Sequence, residues 1–148
     1  SVDGVEDHKG WKKDIEHFGG TEAGFPIIAD TDLEVSKAFD MLPGGFDLPQ
    51  NPTPADSQTV RSVFIIGPDK QLKLSMTYPM NVGRNFAEVL RALDALQVAA
   101  SNGVATPANW TPGADVVIPT AVNDEDAKAK FGSFTTHLPY LRTTKLPS

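Results

Sequence analysis

The sequence predicts an α/β fold, because helix-like and strand-like patterns alternate along one chain. The apolar residues Trp11, Ile15 and Phe18 recur at helical spacing near the start. Residues 60–66 form the most apolar run, rich in the β-branched residues that are typical of strands. A second apolar helical face follows in residues 86–96. These observations predict helices packed on a sheet.

The first helix is expected over residues 3–20. Asp3 and Glu6 have the spacing of a capping box, in which two side chains satisfy free N–H groups of the first turn. Gly19 and Gly20 supply the residue type that ends a helix in the left-handed conformation. The segment therefore has a start signal, an apolar face and a stop signal.

A short buried strand is predicted for residues 25–29, Phe-Pro-Ile-Ile-Ala. Asp30 or Asp32 is then expected to open a helix, since aspartate accepts hydrogen bonds from the free N–H groups at helix starts. Residues 42–59 contain four prolines and two glycines, which predicts a long surface loop.

Two consecutive strands are predicted to form a hairpin. Residues 60–66 show no alternation and are expected to form a central strand that is covered on both faces. Leu72–Tyr78 alternates apolar and polar side chains, as a half-buried antiparallel strand does. Residues 67–70, Gly-Pro-Asp-Lys, are typical of the turn between them.

The next helix is predicted to begin after Asn85, a good N-cap residue, with Glu88 three residues further on. Beyond it the sequence holds a short apolar run, Val116–Ile118, an acidic helix start at residues 124–126 and a polar tail. We therefore expect a main domain over residues 1–100 and a small C-terminal appendage over residues 101–148.

The predicted sheet has too few strands to cover its apolar faces. The opening helix has no preceding strand to pack against, and a domain of this kind needs a fuller sheet. The main domain is therefore expected to be incomplete at its N-terminal end.

Composition excludes several classes of function. The 148 residues have a net charge of -6, so the chain offers no basic face to nucleic acid. No stretch approaches the ~20 apolar residues that a membrane helix requires, and no stable membrane insertion is expected. No leader sequence is visible, which makes the cytoplasm the default location. The chain contains no cysteine and so no thiolate chemistry of its own.

Five short strings follow one another along the chain: Ser-Val-Asp-Gly-Val-Glu-Asp-His (1–8), Phe-Pro-Ile-Ile-Ala-Asp (25–30), Val-Arg-Ser-Val-Phe-Ile-Ile-Gly-Pro-Asp (60–69), Gly-Arg-Asn-Phe (83–86) and Val-Ala-Thr-Pro-Ala-Asn-Trp (104–110). Together with Tyr-Leu-Arg at residues 140–142, they resemble the one-cysteine peroxiredoxins. The last of the five resembles the C-terminal extension that distinguishes this subgroup.

The resemblance implies a thioredoxin-like fold, N-terminally incomplete here, followed by a small C-terminal peroxiredoxin arm domain. It implies a thiol-dependent peroxidase that reduces hydrogen peroxide and organic hydroperoxides through a cysteine sulfenic acid. An external thiol would act as reductant, and the protein would be a homodimer without metal or cofactor. In the family the reactive cysteine lies in a Pro-x-x-x-Thr-x-x-Cys motif upstream of the string that opens this chain, and this sequence has neither. The alternative is a non-catalytic fragment that acts only in association.

Arg61 and Arg84 are the candidate catalytic residues. A thiol with a pKa near 8.5 ionises at neutral pH when a fixed cation lies beside it, and the planar fork of arginine can donate to sulfur and to a peroxide oxygen together. The resemblance implies this role for Arg61, whose alternative is a surface ion pair. Arg84 directly precedes a helix start, where a cation is disfavoured. The resemblance implies a supporting role for it, and the alternative is a solvent-exposed arginine.

The remaining polar candidates have simpler explanations. His8, His17 and His137 match no metal-ligand spacing and are expected to be polar surface residues. Asp30, Asp32 and Glu34 resemble the start of a calcium loop, but the glycine and the final glutamate of that pattern are missing, so helix capping explains them better.

Some animal members of the family are credited with a phospholipase activity that uses a serine, a histidine and an aspartate. Asp69 matches that aspartate, while the other two residues would lie outside this sequence. Because aspartate is common in turns, we expect Asp69 to be a turn residue.

Overall fold

A computed structural model describes residues 1–42 and 56–146 of the chain. The four helices and five strands of this part are α1 (Val5–Gly19), α2 (Glu34–Ala38), β1 (Arg61–Ile66), β2 (Leu72–Tyr78), α3 (Phe86–Asn102), β3 (Val116–Ile118), α4 (Asp124–Phe131), β4 (Thr135–Leu138) and β5 (Leu141–Thr144). The chain divides into two compact units, residues 1–63 with 75–84, and residues 64–74 with 85–148.

Helix α1 confirms the first predicted helix and its stop, but not its predicted capping pair. The helix begins one residue later than the Asp3 pairing requires, so that Gly4 is the N-cap. The Asp7 carboxylate, three residues further on, accepts a hydrogen bond from the Gly4 N–H at 3.3 Å. At the other end Gly20 adopts φ 71°, the left-handed conformation that glycine tolerates without strain.

The strand predicted for residues 25–29 is wrong, because this segment has no regular strand structure and Phe25 and Ile28 are exposed. Its backbone contact is with Ser1. The Ser1 amino group donates to the Ile28 carbonyl at 3.1 Å, and the Asp30 N–H donates to the Ser1 carbonyl at 2.8 Å. These bonds are those of a parallel strand pair, but one residue is too short a partner for a ladder.

Strands β1 and β2 form the predicted hairpin. The Lys70 N–H donates to the Gly67 carbonyl and the Gly67 N–H to the Gln71 carbonyl, each at 2.9 Å. Lys70 is left-handed with φ 60°, so the turn is a type I turn followed by a left-handed residue. The prediction of a central β1, covered on both faces, is wrong: in the described residues β1 borders only β2 and no β1 residue is fully buried. The apolar side chains of β1 are therefore less buried than its composition predicts.

Helix α3 confirms the prediction at its start. The Asn85 side chain accepts a hydrogen bond from the Glu88 N–H at 3.2 Å, and Gly103 ends the helix with φ 60°. The helix packs on the C-terminal part of the chain through Ala95 and Val98, which lie against a buried cluster.

That cluster consists of Val104, Trp110 and Val116. It lies next to a three-stranded antiparallel sheet of order β3-β5-β4. The apolar run at residues 116–118 forms β3 and the acidic helix start at residues 124–126 begins α4, while the polar tail contains β4 and β5, two strands that were not identified from the sequence. β-Branched threonines occupy half of the positions in these two strands, and the polarity of their side chains hides the pattern.

Arg142 fastens β5 to the start of α4. Its buried guanidinium donates to the Asp124 carboxylate at 2.6 Å, to the Pro119 carbonyl at 3.0 Å and to the Val122 carbonyl. A buried cation is tolerated only when it is paired and hydrogen-bonded in this way.

Candidate active-site arginines

Arg61 is the first residue of β1 and is exposed. The preceding residue is held by a hydrogen bond from the Val60 N–H to the Met41 carbonyl at 2.9 Å, which ties the start of β1 to the chain that follows α2. The guanidinium makes no hydrogen bond or ion pair with the residues that the structure describes. The surface ion pair considered for Arg61 is therefore absent from that part of the chain, and the residue is exposed.

Arg84 is exposed and lies in the segment between β2 and α3, one residue before the N-cap Asn85. This segment and Arg61 belong to the same compact unit. A hairpin places the start of its first strand beside the end of its second. The contact between the Ser62 and Thr77 hydroxyls, 3.1 Å apart, shows this pairing directly. Arg61 and the segment that leads to Arg84 thus leave the same end of the hairpin.

An exposed arginine can attract and orient an anion. Arginine stays charged at every physiological pH, and its fixed fork suits a thiolate, a carboxylate or a peroxide oxygen. The cations alone perform no redox chemistry, and the sequence holds no cysteine that could. The catalytic roles of Arg61 and Arg84 remain predictions.

Asp69 has the surroundings of a turn residue, as expected. The Lys73 ammonium donates to its carboxylate at 2.5 Å, and the Gln71 N–H donates to it at 3.2 Å. The hydrogen bond from Lys73, together with that from Gln71, holds the pKa of Asp69 below its ordinary value. Both carboxylate oxygens serve the β1–β2 turn.

His8 corrects one prediction, because it is buried rather than at the surface, with 5% of its area exposed. It lies on the face of α1 that also carries Trp11 and Ile15, since residues three and seven positions apart share a helical face. Neither ring nitrogen has a hydrogen-bond partner among the described residues. His17 and His137 are exposed as predicted, and His137 contacts the Thr143 hydroxyl at 2.8 Å.

Asp30 is buried and makes more hydrogen bonds than a capping role in the sequence alone indicates. Its predicted capping role is confirmed: the carboxylate accepts hydrogen bonds from the N–H groups of Val35 and Ser36 and from the Ser36 hydroxyl. Burial by itself raises the pKa of Asp30, but the Ser36 hydroxyl and the two N–H groups outweigh it, and the pKa lies below its ordinary value. The carboxylate is therefore ionised while buried.

Within residues 1–42 and 56–146, no group of three or more histidine, aspartate or glutamate side chains lies together as a metal site would. The same residues include no helix that is long and apolar enough to cross a bilayer.

Comparison with known proteins places the chain among the peroxiredoxins of thioredoxin-like fold. The solved structure of the yeast mitochondrial 1-Cys peroxiredoxin superposes with a TM-score of 0.86 and 48% identity, over 98% of this chain and 68% of that one. The predicted fold class, α/β and thioredoxin-like with a C-terminal arm, is confirmed. The family model of the C-terminal domain of 1-Cys peroxiredoxin matches residues 95–133.

Two curated relatives identify the family. Peroxiredoxin PRX1, mitochondrial, of Saccharomyces cerevisiae is 48% identical over 98% of this chain, which spans 55% of that protein. 1-Cys peroxiredoxin B of Oryza sativa subsp. indica is 48% identical over 99% of the chain, which spans 68% of that protein. The chain belongs to the 1-Cys peroxiredoxin family.

Proposed function

We propose that this chain is the arginine-bearing part of a thiol-dependent peroxidase that reduces hydrogen peroxide and organic hydroperoxides. The observation that carries the proposal is Arg61, an exposed cation without a partner in the described residues, at the start of β1 in a chain of this family. The nucleophilic cysteine lies in a part of the whole protein outside these 148 residues, in the motif that family members carry upstream of the opening string.

The proposed reaction is a nucleophilic displacement on the peroxide. The cysteine thiolate attacks one peroxide oxygen; an S–O bond forms while the O–O bond breaks. Sulfur is oxidised to sulfenic acid, and the leaving oxygen takes up a proton to become water or an alcohol. Arg61 donates to the thiolate and to the peroxide together, which lowers the thiol pKa and stabilises the charge on the leaving oxygen. Arg84 supports this geometry.

An external thiol would then restore the cysteine, because the chain offers no resolving cysteine of its own. The yeast relative was solved in work on thiol resolution through the glutathione and thioredoxin systems. We infer a reductant of the same chemical class here. The location is proposed to be the cytoplasm, although the yeast relative is named as mitochondrial.

Exposed apolar side chains support a cysteine-bearing segment that packs on the first compact unit. Phe18 is 95% exposed, and Trp11, Phe25 and Ile28 are also exposed. Large exposed apolar patches mark surfaces that another element covers. The half-covered strand β1 has the same explanation, since its composition is that of a strand buried on both faces.

The division into a peroxidase part, residues 1–100, and a C-terminal arm, residues 101–148, is also proposed. Its support is the buried cluster around Trp110, which belongs to the later part of the chain, and the family match to a C-terminal domain.

The test of the proposed function compares two polypeptides. The 148-residue chain is expected not to turn over hydrogen peroxide, because no other residue here replaces a thiolate. Joined to its cysteine-bearing segment, it is expected to do so with an added thiol as reductant. Measurement of peroxide consumption decides between the enzyme and a fragment that acts only in association. Turnover by the cysteine-free chain would refute the mechanism, and release of fatty acid from phospholipid vesicles would favour the lipid-hydrolase alternative.

We also propose a homodimer of the whole protein that pairs β2 with its own copy. A strand whose outer edge is unpaired in the described residues offers backbone groups to a like strand across a two-fold axis. Ser75→Pro is expected to shift the protein toward monomer in sedimentation velocity, because proline removes a backbone donor in mid-strand. Ser75→Thr, which keeps the donor and suits a strand, should leave the dimer intact. A proline variant that sediments as the wild type would exclude this edge.

A further inference from the structure

We propose that Asp30 is a positioning residue for Arg61: its buried carboxylate holds α2, and through α2 it sets the point at which β1 begins. The inference rests on the proposed function, in which Arg61 contacts the thiolate and the peroxide. Asp30 itself contacts neither.

The first step is the contact between Asp30 and α2. Asp30 is 5% exposed. Its carboxylate accepts hydrogen bonds from the Val35 N–H at 2.9 Å, the Ser36 N–H at 2.7 Å and the Ser36 hydroxyl at 2.6 Å. Charge-assisted bonds of this length are the strong ones, and three of them converge on one side chain.

The second step is that α2 depends on this carboxylate. The helix has five residues, and a helix of that length is not stable by itself in water. Its N-cap residue, Leu33, adopts φ 62°, an unfavourable conformation for a residue with a branched side chain. The surrounding structure must hold it there: the Asp30 carboxylate accepts from the N–H groups of Val35 and Ser36, and the Asp32 carboxylate accepts from that of Glu34 at 3.4 Å. Removing the bonds to Asp30 leaves the longer bond from the Glu34 N–H to Asp32 as the side-chain cap of the first turn of α2.

The third step leads from α2 to Arg61 through backbone hydrogen bonds. The Met41 N–H donates to the Ser36 carbonyl at 2.9 Å. The Met41 carbonyl in turn accepts from the Val60 N–H at 2.9 Å. Val60 is bonded covalently to Arg61, the first residue of β1. Ser36 is thus bound to Asp30 on one side and, through one intermediate residue, to the start of β1 on the other.

The fourth step is that Asp30 is anchored on its own side. Its N–H donates to the Ser1 carbonyl at 2.8 Å, and the Ser1 amino group donates to the Ile28 carbonyl at 3.1 Å. The carboxylate therefore acts from a fixed backbone. Loss of the hydrogen bonds to the Asp30 carboxylate is therefore expected to displace α2 and the start of β1 rather than Asp30 itself.

Position matters for Arg61 because its fork must meet two atoms at once. A misplacement of about 1 Å, caused by a change remote from the chemistry, can cost a reaction about 100-fold in rate. Asparagine at position 30 keeps one acceptor oxygen and the volume of aspartate. We expect a smaller effect from it, about tenfold.

The test uses the whole protein with its cysteine. Asp30→Asn and Ser36→Ala are each expected to lower the second-order rate constant for hydrogen peroxide, Asp30→Asn by about tenfold, and to raise the cysteine pKa read from thiolate absorbance. Asp7→Asn is the matched control. Asp7 also accepts a hydrogen bond from an N–H group at a helix start, but within the described residues no chain of hydrogen bonds leads from it to β1. This control should keep the wild-type rate constant.

A double-mutant cycle separates positioning from a general loss of stability. Once Arg61→Lys has removed the fork, Asp30→Asn should lower the rate constant little further, because both changes act on one interaction. Full additivity in the cycle, or wild-type rates for both Asp30→Asn and Ser36→Ala beside a slow Arg61→Lys, would overturn the positioning role alone. A fast Arg61→Lys enzyme would instead overturn the proposed function, and the positioning role with it.

Discussion

Arg61→Lys, made in the whole protein with its cysteine, is expected to slow the reaction with hydrogen peroxide by about two to three orders of magnitude. Loss of one well-placed donor to a developing charge commonly costs roughly 2.7–4 kcal/mol of transition-state stabilisation. Lysine keeps the positive charge but presents a single ammonium in place of a planar fork. The ammonium of lysine can still stabilise the thiolate in part. We therefore expect only a small rise in the cysteine pKa beside the large fall in the rate constant.

The measurement is the second-order rate constant, with the thiolate followed by its ultraviolet absorbance. Arg84→Lys is the comparison, because it makes the same chemical change at the other candidate arginine, in the segment between β2 and α3. It should cost less, in keeping with a supporting role. Equal rates for Arg61→Lys and wild type would show that the fork of Arg61 does not act in the transition state.

The elements that the sequence predicted best are those that their own residues determine. Asn85 caps α3 and bonds to the Glu88 N–H, three residues on, so its start depends on one local contact. The β1–β2 turn is similar, since Asp69 and Lys70 make it from side chains and backbone within five residues. Local signals of this kind can be read from a single sequence.

The predictions that failed concern cover by distant parts of the chain. Residues 25–29 and β1 have the composition of buried strands, yet in the described residues neither segment is packed against enough other structure to be buried. The apolar composition of a strand shows that both of its faces need to be buried. It does not show which part of the polypeptide packs on those faces. His8 failed in the opposite direction: its polar residue type predicted exposure, while the structure buries it on the face of α1 that also carries Trp11 and Ile15.

The candidate site was predictable in its residue types only. Arg61 and Arg84 were chosen by chemistry and resemblance, and the hairpin geometry that brings their segments to one end follows from the correctly predicted turn. The link from Asp30 to Val60 was not predictable, because it runs through backbone groups of residues far apart in sequence. The sequence signal of a capping aspartate is the same whether or not the helix that it caps is hydrogen-bonded to a distant strand.

Trp110 is the residue whose loss is expected to destabilise the C-terminal part of the chain most. It is 3% exposed and packs with Val104 and Val116. Its indole N–H donates to the Ala114 carbonyl at 3.1 Å, and its own carbonyl accepts from Arg91 at 3.0 Å. The ring therefore fills the centre of the cluster and is fixed there by directional bonds. Truncation removes both the apolar contacts and the bond of the indole.

Trp110→Ala should lower the free energy of unfolding by about 3–5 kcal/mol, the range for removal of a large buried aromatic side chain. Urea unfolding of the 148-residue chain, followed by far-ultraviolet circular dichroism, gives this value if the transition is two-state. Trp11→Ala is the matched control, because Trp11 is 51% exposed in this chain and buries much less area. Trp110→Phe should fall between them, since it keeps a ring but loses the donor to Ala114. If Trp110→Ala and Trp11→Ala shift the urea midpoint equally, the cluster around Trp110 does not hold this part of the chain together.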